Sequence, residues 1–223
     1  GLKNFIKKEF NKKSFVLRNF RNLEKKTSIN LKSKLNLNKK DFLILYSSSL
    51  DRDEGIDKFI KILPKLPSYF KVCMLSSTVD QVYKEYLFSL IKKLGINNKC
   101  FFLNNVPSYQ FINFISKSDI AIITKRGVTL NQRYGLPNSV FDMISAEIPI
   151  VYNNKLPDID QLIKENHIGV SFDINKPMSI IRSIKYLKKN IKIFKKKIKD
   201  FSLNNSWDSE FKRIQHIIIK KRV

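Results

Sequence analysis

Asp142, Asn138 and Ser139 are side chains whose types and spacing could do chemistry together. They lie three and four residues apart, so on a helix they share one face near its amino end. They belong to the stretch Tyr134–Val151, Y-G-L-P-N-S-V-F-D-M-I-S-A-E-I-P-I-V, which reads as a loop, a helix, a short turn and a buried strand. Gly135 gives the backbone room to turn and approach a ligand. Pro137 fits the first turn of the helix, where its missing N–H is no loss. Val140, Phe141 and Ile144 cover the other side and should pack on a sheet. A helix start with free N–H groups, polar residues beside it and a carboxylate one turn in can hold a phosphate and a ribose. The plainer reading is an ordinary amphipathic helix whose polar face meets water.

Other candidates sit in loops that follow apolar runs. Ser47-Ser48-Ser49-Leu50-Asp51-Arg52-Asp53-Glu54-Gly55 has small residues that let backbone amides approach a diphosphate, and Arg52 could neutralise part of its charge. Arg52 could equally pair with Asp51 or Asp53 on the surface. The loop is not G-x-G-x-x-G, so a nicotinamide or flavin fingerprint is missing. Ser76-Ser77-Thr78 reads as a helix cap through Ser77 or Thr78. In Asn104-Asn105-Val106-Pro107-Ser108, Val106 could offer its backbone N–H and C=O to the edge of a base. Lys125, Arg126 and Arg133 place three cations beside the helix start, where they repel one another unless an anion is present. His167 and His216 read as structural and surface residues. No Ser/His/Asp arrangement, metal-ligand cluster or paired general acid and base stands out, so no catalytic residue is assigned.

The elements that must position these residues follow one pattern. Apolar runs at Phe42–Ser47, Phe70–Leu75, Cys100–Leu103, Ile120–Thr124, Pro149–Tyr152 and Gly169–Phe172 read as buried strands. Helices are expected between them, at Gly55–Leu63, Val79–Leu94, Tyr109–Ser116 and Asp158–Glu165, besides the one after Gly135. Basic helices follow at Met178–Lys189 and Ile191–Phe201, and a last helix at Ser206–Lys220. The alternation predicts an α/β fold: a doubly wound, parallel, six-stranded Rossmann-like sheet with helices on both faces and extra C-terminal helices. Ahead of it, residues 1–13 read as the tail of a helix, Ser14–Leu17 as a strand-like run, and Leu23–Lys40 as a polar linker or exposed helix. The compact part is expected to start at Asp41.

Bulk properties narrow the classes. With 223 residues, 43% of them hydrophobic, the chain can bury a substantial core, which favours a folded domain over disorder. It has neither a run of about 18 apolar residues nor a signal-peptide pattern. Cys73 and Cys100 lie in apolar runs and read as core residues in a reducing compartment. The net charge of +24 points either to an anionic partner or to a compositional habit, since Lys, Asn, Ile and Phe are abundant together. The lysines are spread along the chain, which favours the habit, with an anionic membrane surface as the useful remainder.

The stretch G-L-P-N-S-V-F-D-M-I-S-A-E-I-P-I-V resembles the motif G-L-P-N-K-x-F-E-Y-M-A-A-G-x-P-V-V of the large retaining, B-type glycosyltransferases called family four. S-S-L-D-R-D-E-G-I-D-K-F-I, N-N-V-P-S-Y-Q-F-I, H-I-G-V-S-F-D and N-S-W-D-S-E-F support it by their order, so the resemblance runs from about Phe42 to Lys220. It implies a donor-binding half, with a nucleotide-diphosphate sugar as substrate, no cofactor, no metal and no nucleic acid. Asp142 takes the place of the ribose-binding glutamate. Leu136, Pro137, Asn138 and Ser139 face the diphosphate and sugar, with Gly135 ahead of them, and Val106 and Pro107 lie beside the base. Ser49 and Glu54 stand where many members carry an arginine and a lysine that grip the diphosphate, and Ser139 replaces a common lysine. Arg52, Lys58, Lys125, Arg126 or Arg133 could take over, and Ser48 with Ser49 would supply amides. On the same resemblance residues 1–40 end an N-terminal domain and its hinge, 41–205 form the nucleotide-sugar-binding domain, and 206–223 cross back. A glycan or lipid-linked acceptor would meet that N-terminal domain. The chain is then expected to be cytoplasmic, with the inner face of a membrane as a resting place. Two other readings stand beside it: a nucleic-acid- or membrane-binding module using Lys185–Lys199 with Tyr186 and Phe194, and a hexose-epimerase-like enzyme of the same fold.

Overall fold

A computed structural model describes residues 2–12, 14–22, 31–104, 106 and 108–219. In chain order the elements are α1 (Leu2–Phe10), α2 (Leu31–Lys34), β1 (Phe42–Ser47), α3 (Ile56–Ile62), β2 (Phe70–Leu75) and α4 (Gln81–Lys93). Then come β3 (Cys100–Leu103), α5 (Phe111–Ile115), β4 (Ile120–Ile123), α6 (Leu130–Tyr134), α7 (Asn138–Ser145) and β5 (Ile150–Asn153). The last are α8 (Pro157–Glu165), β6 (Gly169–Phe172), α9 (Pro177–Lys189), α10 (Ile191–Asn204) and α11 (Trp207–Ile219).

The six strands form one parallel sheet in the order β3-β2-β1-β4-β5-β6. This is the expected doubly wound α/β architecture. The apolar strand runs have no polar alternation because both faces are covered. Ile44, Val72 and Met74 meet Phe59 of α3, Leu87 of α4 and Ile184 of α9 in one core layer. Leu43, Leu45, Cys73 and Ala121 meet Ile115 of α5, Ile144 of α7, Ile163 of α8 and Ile198 of α10 in the other. Each large side chain so buried contributes roughly 1.5–3 kcal/mol. Cys73 and Cys100 are buried free thiols, and burial pushes both thiol pKa values up to about 12.

Helix ends follow local rules. Asp80, rather than Ser77 or Thr78, caps α4 by accepting from the Tyr83 amide at 3.0 Å. Pro157 and Pro177 occupy the first turns of α8 and α9. Exposed His167 closes α8 in the left-handed region at φ 53°. The side chain of His216 lies outside the described residues.

The N-terminal region differs most from the sequence reading. Ser14–Leu17 forms no strand, since among the described residues no strand pairs with it. Phe15, Val16 and Leu17 are exposed. The core takes in Phe20 and Leu31, ahead of Asp41. Residues 14–22 therefore run as an extended strap over the second core layer, anchored by Phe20. Its ring meets Phe141 of α7 edge-on at 5.0 Å and Phe201 of α10 at 6.0 Å. Of the expected linker, residues 23–30 lie outside the described ones.

Candidate functional site

The order of strands reverses between β1 and β4, and there the chain turns away to opposite sides of the sheet. Ile44 pairs with Ile120 and Leu45 with Ala121, whereas β1 runs on to Ser47. The ends of β1 and β4 thus part and leave a crevice outside their carboxyl ends, where ligands bind in open α/β sheets.

The loop after β1 is built as one wall of that crevice. Asp51 accepts from the Asp53 and Glu54 amides at 3.0 and 3.1 Å, folding Arg52–Glu54 into a single 3-10 turn. Gly55 leaves the turn at φ 70°, close against the Thr124 carbonyl. Thr124 Oγ1 donates to the Glu54 carbonyl at 2.7 Å, and the Arg126 amide to that of Asp53 at 2.9 Å. The turn is therefore stitched to the end of β4. The opposite wall is the start of α7. Pro137 sits just before the helix in extended geometry, at φ −69° and ψ 151°, rather than inside its first turn. All residues from Val140 to Ser145 are buried, so α7 is enclosed on nearly every side rather than amphipathic towards water.

Between these walls lies a cleft of about 500 Å³. It brings together Ser48, Ser49, Val106, Lys125, Pro137 and Asn138, with Ser139 and Asp142 deeper along α7. Pro107 lies outside the described residues. The expected group of cations is not gathered there. Arg52, Arg126 and Arg133 are exposed and outside the lining, Arg133 lying over the Tyr134 ring at 5.9 Å. Lys58 is likewise exposed on α3 and outside the lining. Among those candidates Lys125 alone reaches the cleft, and it is tied to buried Glu54 at 2.9 Å. Glu54 also accepts from Ser48 Oγ at 2.8 Å. A carboxylate at position 54 thus leaves Lys125 partly neutralised.

Leu136 packs into the second core layer. With Tyr134 it faces a separate cavity of about 490 Å³ beside the strap, which shares Asn138 with the cleft. Gly135 lines neither cavity. Its φ of −82° suits any residue. The need for glycine is instead steric, since a Cβ there would overlap the Asn131 carbonyl.

Asp142 is 8% exposed, and Arg21 Nε donates to its Oδ1 at 2.8 Å. Burial raises the pKa of the Asp142 carboxyl, and Arg21 pulls it only part of the way back. Arg21 lines the cleft together with Ser76 and Ser77, and sequence reasoning found none of the three. Alongside, Asn19 Nδ2 donates to Asn138 Oδ1 at 2.9 Å. The arrangement can accept hydrogen bonds from paired hydroxyls at Asp142 and offer amides and a cation to an anion. Among the described residues no group of three or more His, Cys, Asp or Glu could hold a metal ion. No described helix is long and apolar enough to cross a membrane.

Comparison with known proteins fits this geometry. The chain is 24% identical over 143 residues to the O-antigen biosynthesis glycosyltransferase WclY of Escherichia coli, a match covering 64% of this chain and 36% of that protein. Among solved structures it resembles HepE of Anabaena in complex with UDP and glucose, with a TM-score of 0.70 at 14% identity, over 84% of this chain and 50% of that one. It also resembles sucrose-phosphate synthase of Thermosynechococcus elongatus, with a TM-score of 0.74 at 8% identity, over 97% of this chain and 55% of that one. The chain therefore spans about a third of WclY and about half of those structures. The sheet order, the crevice at its switch point and the polar start of α7 all lie within residues 27–203, which match the model of one family, and this chain belongs to that family, the glycosyl transferases group 1.

Proposed function

We propose that this chain binds the donor in a retaining transfer of sugar from a nucleotide diphosphate to a glycan or lipid-linked acceptor. The observation that carries the reading is Asp142, a buried carboxylate one turn into α7 in the wall of the switch-point cleft. Its carboxylate accepts from the two ribose hydroxyls. Ser48, Ser49 and the amides at the start of α7 take the diphosphate, with Lys125 beside them, and Val106 borders the base. Transfer then rests on electrostatics: amides already in place, with Lys125 beside them, meet the charge that develops on the departing diphosphate. The donor is the only small molecule required, and no cofactor is assigned. WclY's name supports a glycan acceptor, and the UDP and glucose in HepE support a nucleotide-sugar donor. Acceptor recognition falls to the part of the relatives that this chain does not span. The net charge of +24 and the lysines of α9 and α10 fit an anionic membrane surface as the place where a lipid-linked acceptor is met.

Isothermal calorimetry with UDP-, GDP- and ADP-sugars tests the reading. One base is expected to give saturable heat, with no sugar released from the donor by this chain alone. Absence of heat with every donor in the panel would overturn it.

A further inference from the structure

We propose that Arg21, from the strap, is a donor-binding residue that exchanges partners: it releases Asp142 to the ribose hydroxyls and turns its guanidinium to the diphosphate. This rests on the cleft being a nucleotide-sugar site.

The charges in the cleft motivate the inference. Among the described lining residues the cations are Arg21 and Lys125 and the carboxylates are Glu54 and Asp142. They form two ion pairs, Arg21–Asp142 at 2.8 Å and Lys125–Glu54 at 2.9 Å, so the lining is neutral as it stands. A neutral lining gives a diphosphate little attraction unless a cation is freed. The two pairs differ in how readily they can part. Lys125 and Glu54 are 16% and 7% exposed, and Glu54 is further held by Ser48. Arg21 is 41% exposed and, among the described residues, engages Asp142 through Nε alone. With a single contact and its cation partly in solvent, this pair parts more readily than the buried Lys125–Glu54 pair. Two hydroxyls donating to Asp142 can replace that single contact, and the freed guanidinium presents the planar fork that suits phosphate oxygens.

The backbone under Arg21 is fixed, so the exchange is confined to the side chain. Phe20 is buried against Phe141, one residue before Asp142, and Asn19 bonds Asn138 at the start of the same helix. Arg21 is therefore held at the diphosphate end of α7 by its neighbours rather than by Asp142. That leaves its long side chain free to change partner.

The test uses the unaltered chain, Arg21→Ala and Arg21→Lys with the nucleoside and the nucleoside diphosphate of whichever base gives heat in the donor panel. Calorimetry follows the diphosphate, ligand-observed NMR follows the nucleoside, and thermal melts without ligand check folding. Arg21→Ala is expected to weaken the diphosphate tenfold or more and to leave the nucleoside within about twofold. Arg21→Lys, which keeps the charge and loses the fork, should fall between them and serves alone should the alanine variant not fold. Unchanged diphosphate affinity in either variant overturns the proposal. So does an equal loss for nucleoside and diphosphate, which would make Arg21 only a support for Asp142. Tighter diphosphate binding by Arg21→Ala would overturn it by making Arg21 a plug. No heat with the unaltered chain removes the underlying reading instead.

Discussion

Burial raises the pKa of the Asp142 carboxyl, and the nearby Arg21 guanidinium offsets that only in part. The folded chain then binds more protons than the unfolded one between the two pKa values. Stability therefore falls as pH rises from the ordinary carboxylate range through the raised folded value. Once ionised, the buried carboxylate costs folding stability, a cost that the ribose-binding role proposed above would explain. Asp142→Asn removes the charge and keeps the shape, while Arg21, 41% exposed, can be solvated. The variant is expected to melt no lower than the unaltered chain at pH 7, by calorimetric or fluorescence melts. Its affinity for the nucleotide sugar should fall roughly tenfold or more, the value of hydrogen bonds to a charged group. A clear drop in melting temperature with unchanged affinity would return Asp142 to a purely structural role. The residue could be picked out from sequence because its spacing from Asn138 and Ser139 is local. Arg21 could not, because its partner lies 121 positions away. Position after a strand also said nothing about where the side chains of Arg52, Arg126 and Arg133 would turn.

At the scale of elements, the wall of the cleft depends on how α6 hands the chain to α7. The Gly135 amide donates to the Asn131 carbonyl at 2.8 Å, which ends α6 and aims Leu136 and Pro137 at the start of α7. Gly135→Ala would push a methyl into that carbonyl. Overpacking of this kind costs about 1–3 kcal/mol, and here relief requires the start of α7 to shift. The expected outcome is a lower melting temperature together with weaker nucleotide-sugar binding. A substitution that lowers stability and leaves affinity intact would show that the turn does not set the cleft. The strands were legible in sequence because a parallel sheet covered on both faces needs near-continuous apolar runs, as FLILY and VCML are. Ser14–Leu17 carries the same kind of residues yet joins no sheet among the described residues, since pairing depends on a neighbour that composition does not specify. Gly135 was legible as a glycine, but as one that gives the backbone room to turn and approach a ligand. The actual reason, contact with a carbonyl four residues earlier, exists only once α6 has formed.

Across the whole molecule, the strap that carries Arg21 meets α11. The Arg18 amide donates to Glu210 Oε1 of α11 at 2.8 Å, and Asn22 Nδ2 to Asp208 Oδ1 at 3.2 Å. Arg213 bridges the Val16 carbonyl and Glu210. α11 therefore clamps the strap whose next residues are Asn19, Phe20 and Arg21. Burial pushes the Glu210 carboxyl up, but Arg213 and the Arg18 amide more than offset this, holding its pKa below the ordinary carboxylate range. A depressed folded pKa gives stability that is fully present above the unfolded pKa and is lost as pH falls through the folded one. Glu210→Gln should thus lower the melting temperature at pH 7. Arg213 is 52% exposed, so solvent screens its share, and the loss should be about 1 kcal/mol, from the lost charge opposite Arg213 and the weaker neutral acceptor left to the Arg18 amide. The gap between variant and unaltered chain should then close as pH drops below the ordinary carboxylate range. Because the clamp lies upstream of Arg21, the same variant should bind the nucleotide sugar more weakly while keeping Asp142 intact. Melts from pH 7 to pH 3, paired with calorimetry at pH 7, decide it. A gap that stays constant with pH would mean that the charge of Glu210 does not hold the strap.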